Sequence, residues 1–390
     1  MTAVVDGDRP RPPEGDDPYP GSSPLGHGPA SPGRFSGRFV VLTGSVGGGH
    51  VGPARELARR LVGAGHRAEV IDLVAAAPAR AGRLLRGLFR AQLSYAPGSW
   101  DRIYRVTDRR GAATGTGGLH HLVVPVLRRA LSQLPVSALI STFPLASHAA
   151  VAAVRDLERP IPLITYLTDP APHAAWIVAG TDRYLTGWAA TASALRGHTV
   201  APVEVVVPLV RAEFREVSGG PVDRRNHAGS TGLILVCSGS WGVGDIPGTV
   251  ADLLSDPAGP TPVVVCGHND RLRRRLTARF RIPVLGWVSD MAALMRDCDL
   301  AVLNSGGLTL AEAQAVGLPV VHYRPLAGQG LANARFADRA GLARWVRSPA
   351  ELTAAVHTPT PGATNTAAGA DPVIDIVQTA GLRPAARTWS

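Results

Sequence analysis

Short apolar runs separated by helix-length stretches of mixed polarity recur along almost the whole chain. Runs at residues 39–43, 68–73, 138–142, 163–168, 183–186 and 203–207 are dominated by Val, Leu, Ile and Thr, with little alternation of polar and apolar positions. Continuous apolar runs of this length predict strands buried on both faces, the condition of a parallel sheet covered by helices. A second series follows at 233–238, 263–266, 284–287, 300–304 and 320–323. Between the two, residues 218–230 turn polar, with Gly, Pro, Asn and paired Arg, as a linker does. Two successive βα series predict an α/β protein built from two doubly wound, Rossmann-like domains facing across a cleft.

Placed on the 390 residues, this reading gives a leader at 1–35, an N-terminal domain at 36–217, the linker at 218–230, a C-terminal domain at 231–357 and a low-complexity tail at 358–390. That length suits two cores of about 150 residues each. Within the tail only 373–379 reads as helical, and in such architectures a C-terminal helix often returns to the first domain. The stretch 78–134 interleaves apolar and aromatic residues with Arg and fits no simple βα unit.

Composition narrows the class. Hydrophobic residues make up 45% and charged residues 18%, which is globular, and no apolar run reaches the roughly 18 residues of a membrane span. The leader has no apolar core of the signal-peptide kind, so a cytoplasmic protein is expected. Cys237, Cys266 and Cys298 lack metal or disulfide spacing and read as small buried hydrophobes. The net charge of +10 rests on Arg alone, which supplies all 40 basic residues. Between Arg34 and Arg129 there are 16 Arg against 5 acids, so the first domain favours an anionic partner, with an anionic membrane surface ahead of the alternatives. No nucleic-acid-binding motif accompanies the charge.

Four segments carry candidate chemistry. Thr43-Gly44-Ser45-Val46-Gly47-Gly48-Gly49-His50 ends the first strand and opens a helix, where glycines admit a ligand against the backbone and His50 is placed for acid–base work. Gly48 and Gly49 would then border the acceptor. Thr168-Asp169 ends another strand, followed by His173 and Trp176; Asp169 is placed to orient His50, to take a proton, or to cap the next turn, and the other two to line an acceptor cleft. Ser238, Gly239 and Ser240 follow the first strand of the second domain and offer N–H groups to a phosphate. Asn304-Ser305-Gly306-Gly307-Leu308-Thr309-Leu310-Ala311-Glu312 is a strand, Gly-Gly turn and helix, whose positive end suits a diphosphate and whose Glu312 suits a ribose diol.

In order and spacing, GSVGGGH, TD with HxxW, VPLVRAEF, VLGWVSDM, NSGGLTLAEA, GLPVV and GQGxxNA resemble the monogalactosyl- and processive diacylglycerol glucosyltransferases and the related transferase that adds GlcNAc to a lipid-linked precursor. The resemblance runs from about residue 39 to 346. It implies the GT-B fold, a UDP-sugar as donor substrate, a lipid or other hydroxyl acceptor, and inverting transfer with no cofactor and no bound metal. Carried over, His50 is similar to the residue that activates the acceptor, the backbone at Val288 to the position that reads the uracil edge, and Glu312 to the ribose-binding acid. Gln329 and Asn333 match the segment that contacts the donor sugar and its phosphates.

The chain departs from the pattern in three places. Asn304 and Ser305 stand where a basic residue commonly precedes the Gly-Gly turn; Gly330 follows Gln329 in place of a second polar residue; and Ser238-Gly239-Ser240-Trp241 replaces a fuller glycine run. Three other readings compete: a UDP-sugar 2-epimerase sharing the architecture, a transferase acting on a secondary-metabolite aglycone, and a catalytically silent nucleotide-sugar-binding protein.

Overall fold

The computed structural model describes residues 37–76, 123–132, 135–155, 157, 159–215, 232–304, 306–358 and 369–381, with isolated positions 87, 102, 105, 106, 108 and 121. Most of the Arg-rich stretch 80–110 and all of the leader before residue 37 lie outside the described residues, as do Ser305 and the linker 218–230.

Two all-parallel sheets form the frame. The first contains β1 (Arg38–Thr43), β2 (Arg67–Asp72), β3 (Ala138–Ser141), β4 (Leu163–Leu167), β5 (Arg183–Thr186) and β6 (Val203–Val205), in the order β2-β1-β3-β4-β5-β6. The second contains β7 (Leu233–Cys237), β8 (Thr261–Val265), β9 (Val284–Leu285), β10 (Leu300–Leu303), β11 (Val320–Tyr323) and β12 (Arg344–Val346), in the order β12-β11-β10-β7-β8-β9. The central apolar runs become strands covered on both faces, whereas the edge strands β2 and β9 are only partly buried. Phe39 and Val41 of β1 point into one cluster and Val40 and Leu42 into another.

The helices supply those covers. In the first half they are α1 (Gly48–Gly63), α2 (Leu73–Ala76), α3 (Val124–Ser132), α4 (Pro144–Val154), α5 (Ala189–Arg196) and α6 (Ala212–Arg215). In the second they are α7 (Ile246–Leu254), α8 (Asp270–Arg279), α9 (Met291–Asp297), α10 (Gly307–Ala315), α11 (Gln329–Arg339) and α12 (Pro349–His357). The last helix, α13 (Pro372–Thr379), leaves the second half and inserts Val373, Ile376 and Val377 into the cluster of Phe39, Leu57 and Ile164. Its approach is fixed by a bridge between Val206 and Ala370 and by the ion pair of Arg183 with Asp375 at 3.1 Å.

Strand order reverses between β1 and β3 in one sheet and between β7 and β10 in the other. At such points the loops leaving neighbouring strands diverge and open a crevice beyond the carboxyl ends. All four sequence-derived motifs leave strands at those ends. Trp188, Val210 and Phe214 of the first half share a buried cluster with Leu303, Leu310 and Ala313 of the second, so the halves meet through packed side chains.

Candidate active site

Helix α1 begins at Gly48, so His50 occupies its first turn. It is buried, and its ring packs against Phe143 at 5.0 Å and Trp176 at 6.0 Å between centroids. His50 Nδ1 lies 2.9 Å from the Thr142 carbonyl and 2.8 Å from Thr168 Oγ1. A carbonyl only accepts, so Nδ1 carries the proton and Nε2 keeps its lone pair. Burial holds His50 below the ordinary imidazole range, while the charge of Asp169 acts in the opposite direction. The result is a neutral imidazole with a basic Nε2, the form a general base requires.

Asp169 is buried and accepts a hydrogen bond from Asn333 Nδ2 at 3.1 Å, across the divide between the halves. The Ala171 amide donates to Asn333 Oδ1 at 3.2 Å. Gly307, the first residue of α10, touches the backbone of Thr168 so closely that a Cβ there would collide with the Thr168 carbonyl. On the other side of α1, the Gly48 amide donates to Ser240 Oγ at 3.0 Å. Residues 48–50, 168–171, 240, 307 and 333 therefore form one contact zone. His173 lies at the edge of that zone, where its Nδ1 accepts from the Ala175 amide and so caps a short 3-10 turn. Trp176 sits in the core with Leu167 and Tyr184, only 1% exposed, so in this conformation it backs His50 instead of lining an open cleft.

Helices α1, α10 and α11 are preceded by Gly47, Gly306 and Gly328 as N-caps, each with positive φ and without a side-chain cap. A helix start without a side-chain cap is the form of anion sites at helix ends, although the Gly48 amide of α1 donates to Ser240 Oγ and the Leu331 amide of α11 to the Leu326 carbonyl. Asn304 is a scaffold: its Nδ2 donates to the Val243 carbonyl at 2.6 Å, and its main-chain carbonyl accepts from the Leu326 amide at 2.8 Å. It thus ties the 238–244 loop and the 324–329 loop to the Gly-Gly turn. Ser238 is buried with its hydroxyl unpaired, while Gly239 and Ser240 are partly exposed.

Glu312 stands one turn and a half into α10, and burial pushes its carboxyl up to about 8, with Arg211 opposing and Glu213 adding to that rise. Arg211 pairs with Glu213 at 2.7 Å and reaches the Ser289 carbonyl at 3.4 Å. It lies 101 positions before Glu312, a separation no local spacing rule covers, and the sequence reading missed it. Val288 is half-buried beside Trp287, which is 41% exposed and stacks on His268 at 4.4 Å with the ring planes 15° apart. Leu308 and Thr309 follow Gly307 in the first turn of α10, and Gln329 opens α11 four residues before Asn333. Thr142 and Thr168, the two partners of His50 Nδ1, also escaped the list of candidates; Thr168 was visible only as the neighbour of Asp169.

The two facing Rossmann-like halves, with the ligand crevices turned toward each other, are the GT-B fold. Residues 249–358 match the sequence model of the family described as glycosyl transferases group 1. Over 330 residues the chain is 26% identical to the processive diacylglycerol beta-glucosyltransferase of Bacillus subtilis (strain 168), covering 82% of this chain and 86% of that protein. A protein of the same name from Bacillus cereus is 29% identical over 231 residues, 55% of this chain and 57% of that protein. Among solved structures, Acinetobacter baumannii MurG superimposes with a TM-score of 0.57 at 17% identity, covering 88% of this chain and 99% of that one. A Medicago truncatula protein solved as a complex with UDP-glucose gives 0.56 at 13% identity, with 89% and 98% covered.

Proposed function

We propose that the protein is an inverting glycosyltransferase that moves a hexose from a UDP-sugar to the hydroxyl of a lipid such as diacylglycerol. The observation that carries this reading is the junction of a neutral, buried His50 with the uncapped start of α10 across the two halves. His50 Nε2 takes the proton of the acceptor hydroxyl as that oxygen attacks the anomeric carbon. The bond from that carbon to the diphosphate oxygen breaks, and UDP leaves with the electron pair. The N–H groups that open α10 and α11 receive the growing charge. Glu312 holds the ribose hydroxyls, and the stacked Trp287 and His268 offer a flat surface beside Val288 for the uracil ring. Gly48, Gly49 and His173 border the acceptor and Gln329 meets the donor sugar, whereas Asn333, expected from sequence to join Gln329, is buried and has both amide atoms engaged with Asp169 and Ala171.

The lipid acceptor follows the named activity of the Bacillus relatives. The Arg excess of the first domain fits the anionic inner face of a cell membrane, where such a lipid is displayed. Among the described residues no helix is long and apolar enough to cross a membrane.

The test is to incubate the protein with labelled UDP-glucose, UDP-galactose and UDP-GlcNAc, each with and without total lipid extract. A lipid-soluble labelled product with stoichiometric UDP supports the proposal. Epimerised UDP-sugar formed without acceptor identifies an isomerase instead, and UDP binding without turnover identifies a silent binding protein.

A further inference from the structure

The segment 168–171 touches both the histidine of one half and the donor helices of the other. Thr168 Oγ1 lies 2.8 Å from His50 Nδ1, inside a site where both residues are buried. The carbonyl of the same Thr168 packs on Gly307 at the start of α10. Asp169 and Ala171 are held by Asn333 of α11 at 3.1 and 3.2 Å. Since Nδ1 is the protonated nitrogen, Thr168 Oγ1 is a second acceptor for that proton beside the Thr142 carbonyl. An acceptor on Nδ1–H interacts more strongly with the imidazolium than with the neutral ring, because the hydrogen bond becomes charge-assisted.

We infer that Thr168 is a positioning residue for His50, and that the packing of its carbonyl on Gly307 couples that role to closure of the two halves. The inference rests on the glycosyltransferase reading for its catalytic meaning, though not for its geometry. Thr168 steadies the proton on Nδ1, aims Nε2 at the acceptor, and stabilises the charge His50 gains as it takes the acceptor proton. When the start of α10 withdraws, Thr168 loses its backing and His50 one of its two acceptors. The donor helix thereby sets the base as well as receiving the leaving group, and a base assembled only on closure limits attack by water on the donor. The charged group acting on the His50 ring is Asp169, from the loop after β4; Phe143 and Trp176 pack on it as rings.

The experiment compares Thr168→Val, Thr168→Ser and Gly307→Ala with the parent by titration of imidazole 15N resonances, which requires no turnover. Loss of the second acceptor destabilises the imidazolium, so the His50 midpoint falls in Thr168→Val, returns in Thr168→Ser, and moves toward the Val value in Gly307→Ala. In turnover, Thr168→Val lowers kcat by about ten-fold or more and shifts the acid limb of kcat/KM to lower pH, with UDP affinity kept. Thr168→Ala serves if Thr168→Val does not fold. A parental midpoint in both Val and Ala variants overturns the inference, as does a Ser variant as impaired as Val. An unmoved His50 in Gly307→Ala overturns the coupling to closure. Absence of transfer to any acceptor with the expected 15N shifts sinks the transferase reading alone.

Discussion

Asn333 Nδ2 donates to Asp169 Oδ1 at 3.1 Å, joining helix α11 of the second half to the loop after β4 of the first. Both residues are buried, at 1% and 5% exposure, so neither partner has water in reserve. The amide also accepts from Ala171, which makes Asn333 a two-point clasp between the halves. Asp169 was read from sequence as an acid placed to orient His50, to take a proton or to cap the next turn; of these, orienting the ring through Nδ1 is not seen, because His50 Nδ1 is satisfied by Thr142 and Thr168. In this closed arrangement the carboxylate acts on the ring through its charge.

Asn333→Ala leaves a buried carboxylate oxygen and a buried N–H without a partner. Each unsatisfied group costs about 1 to 3 kcal/mol, more where it is charged, unless the halves part and admit water. The expected outcome is a lower melting temperature without UDP, together with a larger radius of gyration in solution scattering. An unchanged radius and melting temperature would mean that the clasp contributes nothing to closure.

The C-terminal helix offers a second test. Ile376 is fully buried between α1 and the first sheet, although it follows the entire second half in sequence. Ile376→Ala should destabilise the first half by about 2 to 5 kcal/mol, the usual cost of that truncation in a core. Ala54 and Ala58 of α1 line the same cluster, so local unfolding should appear in hydrogen exchange of α1 before that of α10. Equal loss of protection in both helices would show that the two halves unfold as one unit.

Much of this frame was legible because parallel strands buried on both faces announce themselves as apolar runs. Eleven strands were anticipated, and the twelfth, β12, was not: it has three residues, Arg344-Trp345-Val346, lies at a sheet edge, and buries only Val346 fully. Glycine is a poor helix former, yet Gly47, Gly48 and Gly49 provide the cap and first turn of α1, an exact start that propensity does not mark. The three cysteines are buried, as their reading as small hydrophobes implied. In the site, residues on one loop could be grouped by motif. Contacts that depend on docking two halves, such as Thr168 with Gly307 or Arg211 near Glu312, leave no periodic trace in sequence.

His50→Ala tests the base directly. Its contribution arises in the transition state, so kcat should fall by roughly 10²- to 10⁴-fold while UDP affinity barely changes. Because His50 is buried against Phe143 and Trp176, a purely structural role would instead lower the melting temperature and weaken donor and acceptor binding together. Asp169→Asn keeps the shape and removes the charge; a much smaller loss than at His50 is expected. The reverse order would make the carboxylate the base.

The carboxyl of Glu312 rises from an ordinary 4.5 to about 8 without ligand, chiefly through burial. The folded protein therefore holds a proton there that the unfolded chain releases, and the associated stability is lost as pH climbs from about 4.5 toward 8. A ribose diol donating two hydrogen bonds favours the ionised form, so UDP binding near neutral pH should expel that proton. Affinity for UDP should then increase with pH and level off near 8, beyond the rise from the phosphate's own titration. Calorimetry in buffers of different ionisation enthalpy measures the released proton. Glu312→Gln should remove the excess release while keeping the phosphate's share, and Glu312→Ala should weaken binding by about 2 kcal/mol through two lost charge-assisted hydrogen bonds. Parental affinity and proton release in both variants would place the ribose elsewhere, leaving Glu312 as a neutral, half-buried acid under the influence of Arg211.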